Sequence, residues 1–532
     1  MSSASTYAPA SEYQHLPVSR SAGPQTYTAY VKALCHRNPS LMTLNRFLHS
    51  PKPRVDGCRM AALDFRRGNS KPVARHVADI DCLWGELHGK AEHNLRGATQ
   101  DWGRPLQGRV LVLEDLTVGA IELLGSELDL DPLFFAMHLH TLDRTGSKHQ
   151  IPDEATLPSR LRSKNYINIS YQRPVFCESR KASGGKWVRD AAVDRKLVLL
   201  RSTTIALAAH VLSVIVVRRS GIWIALVLVD PPLGDVHFQY GHKDSEEYKV
   251  RLDIQPFLGS YEDFTDPPKF SEDWNGILNT SRRSLLEDII GYWERNTPAC
   301  FNADDPSLEA VAYYPLRIVA AEWVKYVEVM QHCIKLYQYS DTQIPTLDRI
   351  NHDLRELQGW TLRSLNSQHK VQTVIRKLKV AQEATSHPAT RQIMDPIIED
   401  FEVILSTMQA AGTRLENMLP VVTSFIQITD ARRAFAETAN ISRLTILALV
   451  FIPLSYVSSL FSMNPSNMPG SPYFWVYFAV AIPVTLLVII MARPPTAAVQ
   501  NVVAWVQDQK RRKKPHGSRR EEKSTVLSNC DA

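Results

Sequence analysis

Two apolar segments near the C-terminal end constrain this chain more than any other feature. No charged residue occurs from Leu444 through Phe461 (LTILALVFIPLSYVSSLF), and none from Ser462 through Ala492. At 1.5 Å of rise per residue, helices over 442–461 and 472–492 would each reach about 30 Å, the thickness of a bilayer's hydrocarbon core. Core helices of soluble proteins rarely run so far without a charge. Two membrane spans are therefore expected, and a buried helical hairpin is the alternative.

The flanks orient the spans. Arg432, Arg433 and Arg443 precede the first, Arg493 and the run Lys510–Lys514 follow the second, and the intervening loop SMNPSNMPGSP is uncharged. The positive-inside rule then puts both termini in the cytoplasm. Tyr473, Phe474, Trp475, Tyr477 and Phe478 form an aromatic belt at the outer end of the second span. The net charge of the 532 residues is +6. Eight Lys and Arg against two Glu between residues 510 and 523 account for all of it. The rest of the chain is neutral, which argues against a nucleic-acid-binding body, and the basic tail suits anionic lipid headgroups as its partner. The N-terminal residues lack the basic, apolar and small-residue order of a secretory signal and the Arg-rich bias of a mitochondrial presequence, which favours the plasma membrane. Seven scattered cysteines without a CxxC pair indicate a reducing compartment.

Ahead of the spans the pattern divides in three. Residues 1–55, rich in Ser, Ala, Pro and Tyr without periodicity, are expected to lack order. Residues 56–300 read as an α/β domain, with strands at 110–116, 165–171, 195–201, 210–219 and 221–230 and short helices at 118–125 and from Pro132. Asp131 is the expected N-cap of the latter, and 231–273 is read as a long loop. Residues 306–441 carry apolar residues at spacings of three and four over lengths that suggest an antiparallel helical stalk. The last stalk helix has no proline from Val421 through Arg443, so it can enter the first span unbroken, with Pro420 and Pro453 as expected kinks.

No phosphate-binding loop, GxGxxG, GxSxG or HExxH occurs, so nothing points to an enzyme or to a cofactor. Cys82, His88 and His93, and also His138 with His140, match no standard zinc spacing. Glu114, Asp115, Asp129 and Asp131 are more simply caps and solvated positions.

The segment Leu444, Thr445, Phe451, Pro453, Leu454, then Phe461, Ser462, Met463, Asn464, with Met468 and Pro469 in the loop, resembles the CorA-type divalent metal-ion transporters, and within them the fungal CorA-like and ZntB-like branch. The stretch 113–139 also looks like that branch. The resemblance implies a homopentameric channel in which the first span of each subunit lines one pore, Asn464 rings its outer mouth beside Ser462 and Met463, and the ion meets Asn464 through its hydration shell. Ile441, Leu444, Ala448, Ile452, Ser455 and Ser459 share one helical face and are the expected pore lining. Hydroxyls at its outer end suit a hydrated ion, and Ile and Leu at its inner end suit closure by dewetting; small residues for close helix packing are the other reading of the serines. The expected cargo is magnesium, zinc, cobalt or nickel. Ser462 stands where the family has glycine, and Gly470 where many relatives carry an acid. A membrane-anchored sensor or scaffold that does not conduct is accordingly the alternative.

Overall fold

The computed structural model describes residues 26–50, 58–68, 71–87, 105–140, 164–177, 186–189, 195–200, 203–219, 221–232, 236–240, 248–252, 254–267, 284–338, 347–384, 388–463 and 473–492, with a few shorter pieces between. In chain order the elements are α1 (Tyr27–Cys35), α2 (Met42–Leu48), β1 (Arg59–Arg66), β2 (Val73–Val77), α3 (Ile80–Leu87), β3 (Leu106–Glu114), α4 (Val118–Glu127), α5 (Pro132–Leu139), β4 (Tyr166–Cys177), β5 (Lys186–Arg189), β6 (Leu197–Leu199), β7 (Ile205–Arg219), β8 (Ile222–Val229), β9 (Val236–Tyr240), β10 (Tyr248–Leu252) and β11 (Ile254–Pro256). Helices follow: α6 (Leu285–Arg295), α7 (Leu308–Val311), α8 (Tyr313–Gln338), α9 (Leu347–Ala384), α10 (Pro388–Ser462) and α11 (Trp475–Ala492). The chain divides into two compact units, Met1–Val422 and Thr423–Ala532.

The first unit is built on a mixed sheet ordered β11-β4-β7-β8-β3-β1-β2, with β6 beside β7; among the described strands only β3 and β8 pair in parallel. Successive side chains of a strand point to opposite faces, and both faces here are covered, so the central strands read as continuous apolar runs. On β8, Trp223, Ala225, Val227 and Val229 join the core shared with α6, α8, α9 and the start of α10. Ile224, Leu226 and Leu228 join the opposite core, shared with α1 to α5. β9, β10 and β5 form a separate three-stranded sheet.

Several expectations are met closely. Asp131 caps α5, its carboxylate accepting from the Leu133 N–H at 2.9 Å, with Pro132 at the first helical position. Thr117 likewise caps α4. The stalk helices occur where the periodicity places them, and α10 runs helical through both Pro420 and Pro453, so neither breaks it.

Two expectations are corrected. Residues 27–48 are not without order, because α1 and α2 bury Tyr27, Val31, Leu44 and Leu48 in the second core. Glu122 holds α1 in place by accepting from the Tyr27 and Thr28 N–H groups at 2.6 and 2.9 Å. The stretch 231–273 is not one loop, since it holds β9, β10 and β11. VHFQY and YKVRL do alternate apolar with polar residues, the period of a strand, but each run is only five residues long in a stretch rich in Gly, Asp and Pro.

Candidate ion pathway

In the second unit, α10 presents two faces of different character. Pro453 and Val457 are buried and Leu449, Val450, Leu454 and Phe461 half-buried, at spacings of three and four that make one stripe. On α11 the covered positions include Tyr477, Ala481, Thr485 and Val488, which again make one stripe. The two helices pack through these stripes, with the Phe461 and Tyr477 rings 5.9 Å apart and near perpendicular.

The face expected to line a pore lies elsewhere on α10. Ile441, Leu444, Ala448, Ile452, Ser455 and Ser459 are all exposed, Ile441, Leu444 and Ile452 by 63–66%. With 3.6 residues per turn, their mean direction stands about 180° from that of the packed stripe. The sequence periodicity identified the first face; the packed stripe, and with it the opposition of the two, appears only once the α11 contacts are known.

Bare apolar surface is the general condition of this unit. Ile446, Leu447, Phe451, Tyr456 and Leu460 on α10, and Trp475, Ile482, Leu486, Leu487 and Ile490 on α11, are each more than half exposed. Only 11% of the most apolar window of α10 is buried. A core hairpin of a soluble protein is covered by its own fold, so that alternative does not describe these helices. By length and composition α10 is the one described helix long enough to cross a membrane; the apolar stretch of α11, Trp475–Ile490, is shorter than the expected 472–492. The aromatic belt of α11 packs on itself, Phe474 and Tyr477 edge to face with Phe478 at 5.5 and 5.1 Å and stacked on each other at 6.2 Å.

Ser462 ends α10 and Met463 follows, 84% exposed. Asn464, Met468, Pro469 and Gly470 lie outside the described residues, as does the basic tail.

The other candidate residues have structural duties. Glu114 is buried and accepts from the Ser284 hydroxyl at 2.5 Å, with Arg59 2.9 Å away. Asp115 accepts from the Ala192 and Val193 N–H groups at 2.9 Å. Asp131, besides capping α5, pairs with Lys164. His138 is wholly buried, 2.9 Å from the Ser213 hydroxyl, and burial with Arg195 nearby holds its imidazole well below the ordinary range. Cys82 is exposed, and His88 and His93 lie outside the described residues. Among the described residues no three His, Cys, Asp or Glu side chains are gathered to hold a metal.

Residues 335–493, from the end of α8 through α11, match the family model described as the CorA-like Mg2+ transporter protein. Similar solved structures include the CorA magnesium transporter from Methanocaldococcus jannaschii, 10% identical with a TM-score of 0.36 over 83% of this chain and 99% of that one. The full-length CmaX protein is 12% identical with a TM-score of 0.35, over 84% of this chain and 99% of its own. No curated protein matches the chain. The family resemblance read from the residues around Pro453 and Asn464 is thus met by an independent match to the CorA-like family model, over residues 335–493, which take in most of the stalk and both apolar helices.

Proposed function

We propose that this protein conducts divalent metal cations across a membrane as a CorA-like homopentamer, with α10 and α11 as its two spans. Transport breaks no covalent bond, so no catalytic group is required. One observation carries the reading: the Ile441-to-Ser459 face is bare and diametrically opposed to the stripe that α11 covers. Five copies arranged with that face inward would put α11 on the lipid side and leave a path closed by Ile and Leu at one end and lined by Ser455 and Ser459 at the other. Rings of apolar side chains gate by dewetting, whereas hydroxyls and amides exchange hydrogen bonds with an ion's hydration water. Small divalent ions dehydrate reluctantly, so a neutral amide ring at Asn464 admits the hydrated ion without trapping it. The positive-inside arrangement supports a cytoplasmic first unit with both termini on that side of the plasma membrane, and the resemblance of the 113–139 stretch supports the fungal, ZntB-like branch.

Liposomes carrying the full chain and a metal-sensitive dye test this. Uptake of at least one of magnesium, zinc, cobalt and nickel is expected, reduced about tenfold or more in Asn464→Ala, since losing one hydrogen bond to the hydrated ion in each of five subunits is worth over about 1.4 kcal/mol. Equal uptake by the variant, or none by the natural sequence, contradicts the reading, and the latter leaves a scaffold.

A further inference from the structure

Proline lacks the backbone N–H that continues an α-helix, and its ring presses on the carbonyl four residues back. Pro453 in α10 and Pro483 in α11 both lie inside helices of the second unit. The carbonyls of Leu449 and Ala479 accordingly receive no N–H from the turn that follows.

The two prolines stand at nearly one depth. The Phe461 and Tyr477 rings are 5.9 Å apart. Four residues back on α10 and four onward on α11 stand Val457 and Ala481, only 5% and 1% exposed, so the helices run antiparallel with these pairs level. Another four residues bring Pro453 level with Thr485. Pro483 is about 3 Å of rise from that level, less than one helical turn.

Their rings also face the same way. Pro453 is buried in the stripe that α11 covers, and the Ile441-to-Ser459 face stands opposite. Pro483 is exposed, about 155° from the mean direction of Tyr477, Ala481, Thr485 and Val488, on the side of α11 away from α10. A ring pressing on a carbonyl opens the helix on its own side and bends it toward the other. Bending at Pro453 therefore takes α10 away from α11, toward the Ile441-to-Ser459 face, and bending at Pro483 takes α11 toward α10, which is the same direction. Had Pro483 faced α10, the two bends would oppose each other and splay the hairpin.

We propose that Pro453 and Pro483 form one hinge, about which the halves of α10 and α11 that carry Phe461 and Tyr477 swing together toward the Ile441-to-Ser459 face. The hinge belongs to the second unit alone. Its use rests on the transport reading: the swing moves Ser459 relative to Ile441 and Leu444, and so changes the width of the path.

Hydrogen exchange of the full chain in lipid nanodiscs, read by mass spectrometry on peptides covering both prolines, tests the hinge. The amides at 454–457 and 484–487 are those whose helical bonds span Pro453 and Pro483. Bending opens these bonds, so exchange there reports the flexing. Pro453→Ala restores the missing bond on α10 alone and Pro483→Ala on α11 alone; alanine, the better helix former, keeps the hairpin folded. One hinge predicts effects that cross between the helices. Pro483→Ala should slow exchange at 454–457, and Pro453→Ala at 484–487, each about fivefold, the factor carried by one backbone hydrogen bond. Slowing confined to the substituted helix, or no slowing, overturns the proposal. A clamp gives a second readout with both prolines in place. A disulfide formed from Phe461→Cys and Tyr477→Cys ties together halves that already swing as one, so oxidation should leave exchange at both sites unchanged. Slowing on oxidation means that the halves flex separately, and overturns it as well. Ion uptake enters neither readout, so the hinge and the transport reading fail separately.

Discussion

Asp288 lies in the first turn of α6 among groups that reach it from three directions. The Tyr261 hydroxyl donates to it at 3.1 Å, and Arg173 on β4, Glu322 on α8 and Arg282 act on it electrostatically. Arg173 and Glu322 are themselves buried and bonded at 2.6 Å, while Arg173 also donates to Ser260 at 3.1 Å and to the Arg282 carbonyl at 2.8 Å. One buried guanidinium already engaged with Glu322 leaves Asp288 poorly compensated, and burial pushes its carboxyl up to about 6 from the ordinary 3.8. The folded protein therefore holds a proton that the unfolded chain releases, and stability falls as pH rises from about 4 through about 6. The full displacement corresponds to about 3 kcal/mol. Asp288→Asn should remove that fall, so that thermal unfolding of the variant in detergent no longer loses stability between pH 4 and 7 relative to the natural chain. An unchanged slope would refute the assignment. Arg173 and Glu322 are 149 residues apart in the chain. No local pattern signals such a pair, which is why this cluster was not legible in the sequence while the Asp131 cap, a matter of two adjacent residues, was.

Among the elements, β8 shows what fixes the close packing of the sheet. Trp223 is buried, its indole N–H donates to the Ala303 carbonyl at 2.6 Å, and its ring lies over Gly108 on the neighbouring β3. A Cβ on Gly108 would sit 2.2 Å from the ring carbons. Gly108→Ala should therefore destabilise the protein by about 1–3 kcal/mol or more through overpacking, read as a lowered unfolding midpoint. A midpoint within error of the natural chain would mean that the sheet shifts freely there. The strands β3, β4, β7 and β8 were legible because burial on both faces makes unbroken apolar runs. β1 and β2 were not: Asp64 and Arg66 on β1 and Arg75 on β2 interrupt the pattern, and their charges are satisfied only in the fold, with Arg75 and Arg109 bridging Asp64 and Glu86 at 2.5–3.0 Å. The α1 and α2 helices escaped notice for the opposite reason, their few apolar residues being too sparse to signal helix without the core they fill. On α10, the periodicity of the Ile441-to-Ser459 face was plain, but a face can be assigned to a pore only against knowledge of what covers the other side.

For the whole molecule, the opening feature and the structure converge. Two charge-free segments required either a membrane or a protein core to cover them, and the helices they form remain mostly bare in the folded chain. On the transport reading proposed above, the exposed surface meets lipid on its flanks and further copies on the Ile441-to-Ser459 face. The central claim is that this face, and not the stripe on α11, meets the ions. Flux through Ser455→Cys in liposomes, before and after a charged, water-soluble thiol reagent, tests it most directly, with Val457→Cys, two residues on and buried against α11, as the comparison. The account predicts that the reagent abolishes most of the cation flux of Ser455→Cys and leaves that of Val457→Cys unchanged. Block at Val457→Cys with no effect at Ser455→Cys would contradict it.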